Sequence, residues 1–305
     1  MVMLMLTLKD PAKINLTLEV LGKRSDGFRK KGVQPEGFRQ KGAQPEGFHE
    51  IRSVLQTIDL CDTLHLEVGW GVSFQCDMPG WSADKSLVSK TVNLLRETTG
   101  CTKGAKISIE KRIPLMSGLG GDSSDAAAIL RGLNELWRLN LSTEKLVGLA
   151  AQLGSDVVFF LHGGTALVAG RGEIITPLPP LIRMWVVLVI PDVPVEPGKT
   201  GRMYAALKPS HFTNGKITQK LVETLHKGEG FSPSMLFNTF ENIAFDDYNI
   251  RRVYVEHLIK IGAPHVHLAG SGPTLFTILE EREKAVNLFK ICRNQGMKTY
   301  LVGTL

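Results

Sequence analysis

Gly118, Gly120 and Gly121 fall within four residues, and Asp122, Ser123 and Ser124 follow at once. Glycines this close let a chain turn tightly and bring its backbone against a ligand. From Ser123 to Trp137 the apolar residues Ala126, Ala127, Ile129, Leu130, Leu133 and Trp137 recur at helical spacing. The loop therefore opens onto a helix amino end, whose unpaired N–H groups and positive dipole suit an anion. Ser123 and Ser124 add hydroxyls fit for phosphate oxygens or for Mg²⁺. No Lys closes the loop, so it is not the common nucleoside-triphosphate loop, and its spacing does not match a dinucleotide fingerprint. The plainer alternative is a glycine turn capped by Ser or Asp. Asp122 fits that alternative well, because a carboxylate beside a triphosphate repels it unless a metal intervenes.

Two further charges stand in apolar surroundings. Lys13 precedes a run in which Ile14, Leu16, Leu18 and Val20 alternate with Asn15, Thr17 and Glu19, the pattern of a strand with one buried face. Asp156 follows the helix stop at Gly154 and precedes Val157, Val158, Phe159, Phe160 and Leu161. A charge entering such a segment without a partner costs several kcal/mol, so each of the two needs one.

The run Pro114-Leu-Met-Ser-Gly-Leu-Gly-Gly-Asp-Ser-Ser-Asp-Ala-Ala127 resembles the second motif of the GHMP kinases (galacto-, homoserine, mevalonate and phosphomevalonate kinases). Pro11-Ala-Lys-Ile-Asn-Leu16 resembles their first motif and His267-Leu-Ala-Gly-Ser-Gly-Pro-Thr-Leu-Phe276 their third, in the expected order. Gly22–Phe28 resumed by Gly47–Ile51, Gln56–Leu60, and Gly154–Val157 through Gly163–Thr165 to Gly170–Glu173 resemble one branch of that family. Members of that branch act on a cytidine-diphosphate-linked methylerythritol. The Gly47-Phe-His-Glu stretch speaks against homoserine or mevalonate derivatives as substrate.

The resemblance implies a two-domain α+β fold with the active site in the cleft between the domains. It implies ATP and Mg²⁺ as cofactors and phosphorylation of the 2-hydroxyl of the cytidyl substrate, a step toward isoprenoids. Lys13 and Asp156 are the implied catalytic pair, the Lys neutralising charge on the moving phosphoryl group and the Asp either taking the proton of the acceptor hydroxyl or only orienting it. ATP is expected on Lys111, on Pro114, Leu115, Met116 and Ser117, and on Gly118, Leu119, Gly120, Gly121, Asp122, Ser123 and Ser124, with Ser123 or Ser124 as the protein ligand to Mg²⁺. The substrate is expected on Asn15, Thr200, Gly270, Ser271 and Gly272. Phe48 and Tyr204 would take the two faces of cytosine, with His49 at its edge. Phe48 stands where the family usually has Tyr, Ser86 where it usually has Asn, and Asp122 where it usually has Gly or Ser.

These residues need elements to hold them. Strands are expected over Met1–Leu8, Ala12–Leu21, Leu55–Leu60, Thr63–Val68, Ala105–Glu110, Trp185–Ile190, His265–Ala269, Leu275–Leu279 and Lys298–Val302. Helices are expected over Leu87–Leu95, Ser123–Trp137, Ser142–Leu153, Tyr248–Ile261 and Lys284–Asn294. Runs of strands beside runs of helices argue α+β over a regular βαβ array. Pro177, Pro179 and Pro180 mark a boundary between a nucleotide-binding domain at 1–180 and a second domain at 181–305.

One stretch fits none of these elements. GFRKKGVQPE from Gly27 is followed by GFRQKGAQPE from Gly37 and by GFHE from Gly47, a ten-residue tandem repeat. So little apolar surface cannot offset the entropy of ordering, which points to a mobile surface insertion at 29–48. Its Arg29, Lys30, Lys31, Arg39 and Lys41, set against Glu36 and Glu46, supply half of the formal charge of +6. That charge suits anionic small molecules, and no nucleic-acid-binding signature accompanies it. Cys61, Cys76, Cys101 and Cys292 have no metal or redox spacing and fit free thiols in a reducing cytoplasm. The resemblance implies a bacterial cytoplasm or a plastid, and with no transit peptide visible a bacterial one is expected. The apolar run Met1–Leu8 is too short for a membrane span. A monomer or weak dimer without a membrane partner is expected.

Overall fold

The computed structural model describes residues 5–23, 48–194, 197–244 and 249–305, and for 249–251 the backbone alone. The repeat expected at 29–48 lies outside them, apart from Phe48.

The chain opens with β1 (Met5–Lys23) and β2 (His49–Gly69), then β3 (Val72–Cys76), α1 (Leu87–Thr99) and β4 (Gly104–Glu110). α2 (Gly121–Leu136), α3 (Thr143–Leu153) and α4 (Ser155–His162) follow, with β5 (Thr165–Gly170), β6 (Ile174–Pro177) and β7 (Trp185–Ile190). The remainder holds α5 (Lys199–Ala206), α6 (Lys216–His226), β8 (Phe237–Asn238), α7 (Glu241–Ala244), α8 (Asn249–Lys260), β9 (His267–Leu268), β10 (Leu275–Leu279), α9 (Arg282–Asn294) and β11 (Lys298–Gly303).

Among the described residues these strands form two sheets. One runs β3-β4-β2-β1-β8, with β5 pairing the first half of β2 and β6 pairing β5. The other is antiparallel, in the order β11-β7-β10-β9. Helices α1 to α4 pack together, and α2 lies on β1 and β2. Ala126, Ile129, Leu130 and Leu133 of α2 are fully buried with Leu64 and Leu66 of β2 and Val157 and Phe159 of α4. A second core joins Ile14, Leu16 and Ile58 of the larger sheet to Val186, Leu188 and Ile278 of the smaller one and to Leu221 of α6.

Two expectations about β1 change. The described part of the segment expected at Met1–Leu8 and the segment expected at Ala12–Leu21 belong to one strand, with a register shift between Pro11 and Ala12. Proline cannot donate to a ladder, and the irregularity is where it is tolerated. The partner segments Leu55–Leu60 and Thr63–Val68 likewise join into β2, with Cys61 opposite Pro11 and Ile58 opposite Ala12. The strand also has no exposed face in its middle. A second shift between Asn15 and Thr17 turns it over, so Ile14 and Leu16 enter the second core while Leu18 and Val20 enter the first. Lys13, Asn15, Thr17 and Glu19 are consequently buried as well, and they survive because they are bonded. Glu19 Oε2, for example, accepts the backbone N–H of Thr218 on α6 at 2.7 Å.

The other helices and strands differ from expectation mainly at their ends. His265–Ala269 shortens to His267–Leu268, and α4, α5, α6, α7, β3, β5, β6 and β8 have no counterpart in the periodicity reading. Among the described residues no helix is long and apolar enough to cross a membrane, and all four cysteines are free.

Candidate active site

The three motifs meet. The backbone N–H of Lys13 on β1 donates to Leu119 O in the glycine loop at 2.9 Å, and Thr274 N donates to Ser117 O at 3.2 Å. Gly118 has φ of 87°, and a Cβ there would lie 2.2 Å from Ala269 O. Only glycine allows the second and third motifs to come this close.

Between them opens a cleft of about 490 Å³. Lys13 and Asn15 of β1, residues 114–118, 120 and 121 of the loop, Asp122 and Ser123 of α2, Ser155 and Asp156 of α4, Thr200 and Tyr204 of α5, and Gly270 and Ser271 of the third motif line it. Gly272 lies just beyond, on a smaller cavity of about 210 Å³ that shares Thr200 and Ser271. Thr200 Oγ1 and Ser271 Oγ are 2.8 Å apart, and Lys199 Nζ donates to Gly272 O.

α2 begins at Gly121 after Gly120, and no side chain caps it. Its first residues, Gly121, Asp122 and Ser123, line the cleft, and a helix amino end without a side-chain cap is the arrangement that holds phosphate. The expected charge pair is present: Lys13 Nζ lies 4.0 Å from Asp156 Oδ2, with the Lys side chain 6% exposed and the Asp 45%. Asp156 sits in the first turn of α4, where the helix dipole favours a carboxylate. Burial lowers the Lys13 pKa from its ordinary value of 10.5, and Asp156 acts the other way. Lys13 Nζ also donates to Asn15 Oδ1 at 2.9 Å.

Four expected ligands do other work. Ser124 is fully buried and its hydroxyl donates to Pro11 O at 2.7 Å, so the cleft-facing hydroxyl is that of Ser123. Leu119 is buried and meets the site through its backbone, its carbonyl accepting from Lys13 N and its N–H donating to Ser117 Oγ. Asp122 caps the neighbouring helix: it accepts from Ser86 Oγ and, at 3.0 Å, from Leu87 N at the start of α1. Lys111 borders the cleft, but its ammonium is held by Asp62 at 2.6 Å and Asp125 at 2.7 Å, with all three side chains almost wholly buried.

The aromatic end also departs from expectation. The His49 ring stacks on Tyr204 itself, with centroids 5.0 Å apart and planes 24° apart, and it meets Phe212 edge-on. His49 thus covers a Tyr204 face rather than standing at the edge of a gap. Phe48 is exposed, with the Arg171 guanidinium 4.7 Å above its ring. Burial raises the Tyr204 pKa to about 12, which keeps its phenol neutral.

Periodicity missed Asp62, Asp125, Ser53, Asn238 and Glu241. For Asp125 a signal existed: it shares a helical stripe with Ile129 and Leu133, and a carboxylate on such a stripe demands a buried cation. Asn238 gave none. Its amide donates to Leu268 O and to Gly270 O, both at 2.8 Å, while Glu241 accepts from Leu268 N at 2.8 Å. These contacts join residues about 30 positions apart.

Comparison with known proteins agrees with this geometry. Residues 86–164 match the GHMP kinases N terminal domain. The 4-diphosphocytidyl-2-C-methyl-D-erythritol kinase of Dehalococcoides mccartyi is 44% identical over 301 residues, covering 99% of each chain. That of Shouchella clausii is 34% identical, covering 97% of this chain and 93% of its own. A crystal structure of 4-(cytidine 5'-diphospho)-2C-methyl-D-erythritol kinase superposes with a TM-score of 0.77 at 28% identity, covering 98% of this chain and 99% of that one. The mevalonate kinase of L. major shares the fold, with a TM-score of 0.66 at 16% identity over 99% of this chain and 96% of its own. With three motifs assembled around one cleft and full-length relatives at this identity, the chain belongs to the 4-diphosphocytidyl-2-C-methyl-D-erythritol kinases, a branch of the GHMP kinases.

Proposed function

We propose that the cleft transfers the γ-phosphoryl group of ATP to the 2-hydroxyl of 4-diphosphocytidyl-2-C-methyl-D-erythritol, in the non-mevalonate route to isoprenoids. The observation that carries this reading is the Lys13–Asp156 pair, 4.0 Å apart beside the uncapped amino end of α2. Phosphoryl transfer asks a protein for position and charge compensation more than for covalent chemistry. The α2 amino end and the glycine loop grip the phosphates. The Lys13 ammonium offsets charge on the group in transit. Asp156, half exposed and acceptor-only when ionised, holds the attacking hydroxyl by its proton. The hydroxyl oxygen bonds to the γ-phosphorus, the bridging oxygen leaves with ADP, and the proton passes toward Asp156.

The donors present suit Mg²⁺ carried in on the nucleotide. Among the described residues no group of three His, Cys, Asp or Glu could hold a metal, and Ser123 is the α2 hydroxyl facing the cleft. A hard cation that keeps most of its shell in water and phosphate oxygens needs little more. When bound it neutralises phosphate charge.

At the other end, Tyr204, His49, Phe48 and Arg171 form the aromatic and cationic group that would receive cytosine, once His49 yields its place on the Tyr204 face. Thr200, Ser271 and Asn15 present polar atoms between the two ends. We place the domain boundary at Pro177–Pro180, between the last strand of the larger sheet's β5–β6 hairpin and β7 of the smaller one, and the working compartment in a bacterial cytoplasm.

Release of ADP with and without the cytidyl substrate tests the reading. Substrate-dependent release is expected in the wild type. Lys13→Ala and Asp156→Ala should each lower kcat by roughly 10²-fold or more, with the fold retained. Near-wild-type turnover in either variant removes that residue from the reaction.

A further inference from the structure

The Lys13 ammonium has three protons to give and accepts none. One goes to Asn15 Oδ1 at 2.9 Å. The Asn15 amide then donates to Ser53 Oγ, also at 2.9 Å. Ser53 gives its single proton to Thr17 O at 2.5 Å. Both ends of this chain are fixed in polarity, since an ammonium cannot accept and a backbone carbonyl cannot donate. Ser53 has spent its proton, so it can only accept from the amide. The Asn15 side chain therefore has one allowed orientation, with oxygen toward Lys13.

The chain lies in protein rather than water: Lys13, Asn15, Thr17 and Ser53 are each at most 5% exposed. It is anchored at the register shift between Asn15 and Thr17, where Val54 N donates to Thr17 Oγ1 at 3.0 Å instead of continuing the backbone ladder. Lys13 is hemmed in on other sides. A Cβ on Gly120 would lie 3.1 Å from its Cγ, and one on Gly270 would lie 3.1 Å from its Nζ. Asp156 on α4 is the charged group that acts on Lys13 among the described residues, and β2 and the third motif face it with neutral groups. At 4.0 Å, Asp156 attracts the ammonium but does not fix its direction. Asn15 fixes it, and Ser53 fixes Asn15.

We propose that Ser53 is a positioning residue for phosphoryl transfer, locking the Asn15 amide so that it aims the Lys13 ammonium at the reacting phosphate. This rests on the reading of Lys13 given above. Without the Ser53 hydroxyl the amide can rotate and turn its N–H groups on the ammonium, donor against donor. Loss of that acceptor disfavours the charged lysine and leaves it free to swing.

The test compares Ser53→Ala and Ser53→Thr by kcat, KM for both substrates, kcat against pH, and thermal unfolding. Ser53→Ala is expected to lose roughly ten- to hundred-fold in kcat, with KM values within about two-fold and the alkaline limb of kcat moved to lower pH. Ser53→Thr, which keeps the hydroxyl, is expected to restore both kcat and the limb. Should Ser53→Ala fail to fold, Ser53→Cys, similar in size with a weak donor, takes its place under the same expectations. An unchanged kcat and limb would overturn the proposal. So would a loss of kcat that leaves the limb in place or that Ser53→Thr does not repair, since ordinary strand packing then accounts for it. Lys13→Ala separates the two levels: if it keeps turnover, the reading of the site falls, whereas if it is inactive while Ser53→Ala is normal, only the role of Ser53 falls.

Discussion

Behind the glycine loop the chain buries more charge than a catalytic pair requires. Asp10 is wholly buried; one oxygen takes a bond from Arg131 at 3.2 Å and the other has no partner among the described residues. Burial raises its pKa to about 7, with Arg131 opposing. The folded state thus keeps a proton that the unfolded chain releases near pH 4, so stability falls as pH rises through that interval and is lowest above 7. Wild-type protein should lose roughly 2–4 kcal/mol between pH 4 and 8 from this group. Asp10→Asn should flatten that slope, and denaturant melts at several pH values check it; parallel pH curves for the two proteins would refute the assignment. Lys111 is a different case. Burial alone would depress its pKa, but Asp125 and Asp62 outweigh it and raise it. Lys111→Met strands two buried carboxylates and should cost about 3–5 kcal/mol in an unfolding titration. A variant as stable as wild type, with weakened ATP binding alone, would instead return Lys111 to direct nucleotide contact.

At the scale of elements, the loop works because helices meet at their amino ends. α2 is left uncapped toward the cleft, and its second residue, Asp122, caps α1 through Ser86 and Leu87. A carboxylate close to where phosphates bind is tolerable because the amino end of α1 compensates its charge. Two of the three departures from the family pattern, Ser86 and Asp122, are therefore one contact. Asp122→Ala should lower stability by about 1 kcal/mol, read by chemical unfolding, and no measurable change would show the cap to be idle. Ser142 does the same service for α3, accepting from Lys145 N at 3.4 Å. Its helix lies away from the cleft, so that cap has no bearing on ligand binding.

Across the whole molecule, the second half of the chain completes the first. β8 pairs with β1 at Thr17 and Leu18, and its Asn238 holds two carbonyls, those of Leu268 and Gly270, where the chain enters the glycine turn of the third motif. The turn that abuts Lys13 is thereby tied to the strand that carries Lys13. Asn238→Ala leaves two buried carbonyls short of a donor and should cost about 1–3 kcal/mol, together with a fall in kcat because Gly270 and Ser271 lose their support. Unaltered kinetics in a destabilised variant would confine Asn238 to the fold. Local information was enough for the glycine loop, the α2 helix and strands such as β4, β7, β10 and β11, since spacing of apolar residues and turn residues is a property of short segments. It was enough as well to demand partners for Lys13 and Asp156, because an apolar neighbourhood shows in the adjoining residues. Only the folded chain decided that β1 turns over at Asn15 and Thr17, that Asp122 and Ser124 serve protein groups while Ser123 faces the cleft, and that Ser53 and Asn238 hold the site. Hydrogen bonds between residues tens to hundreds of positions apart leave no periodic trace, and their geometry exists only once both cores have closed.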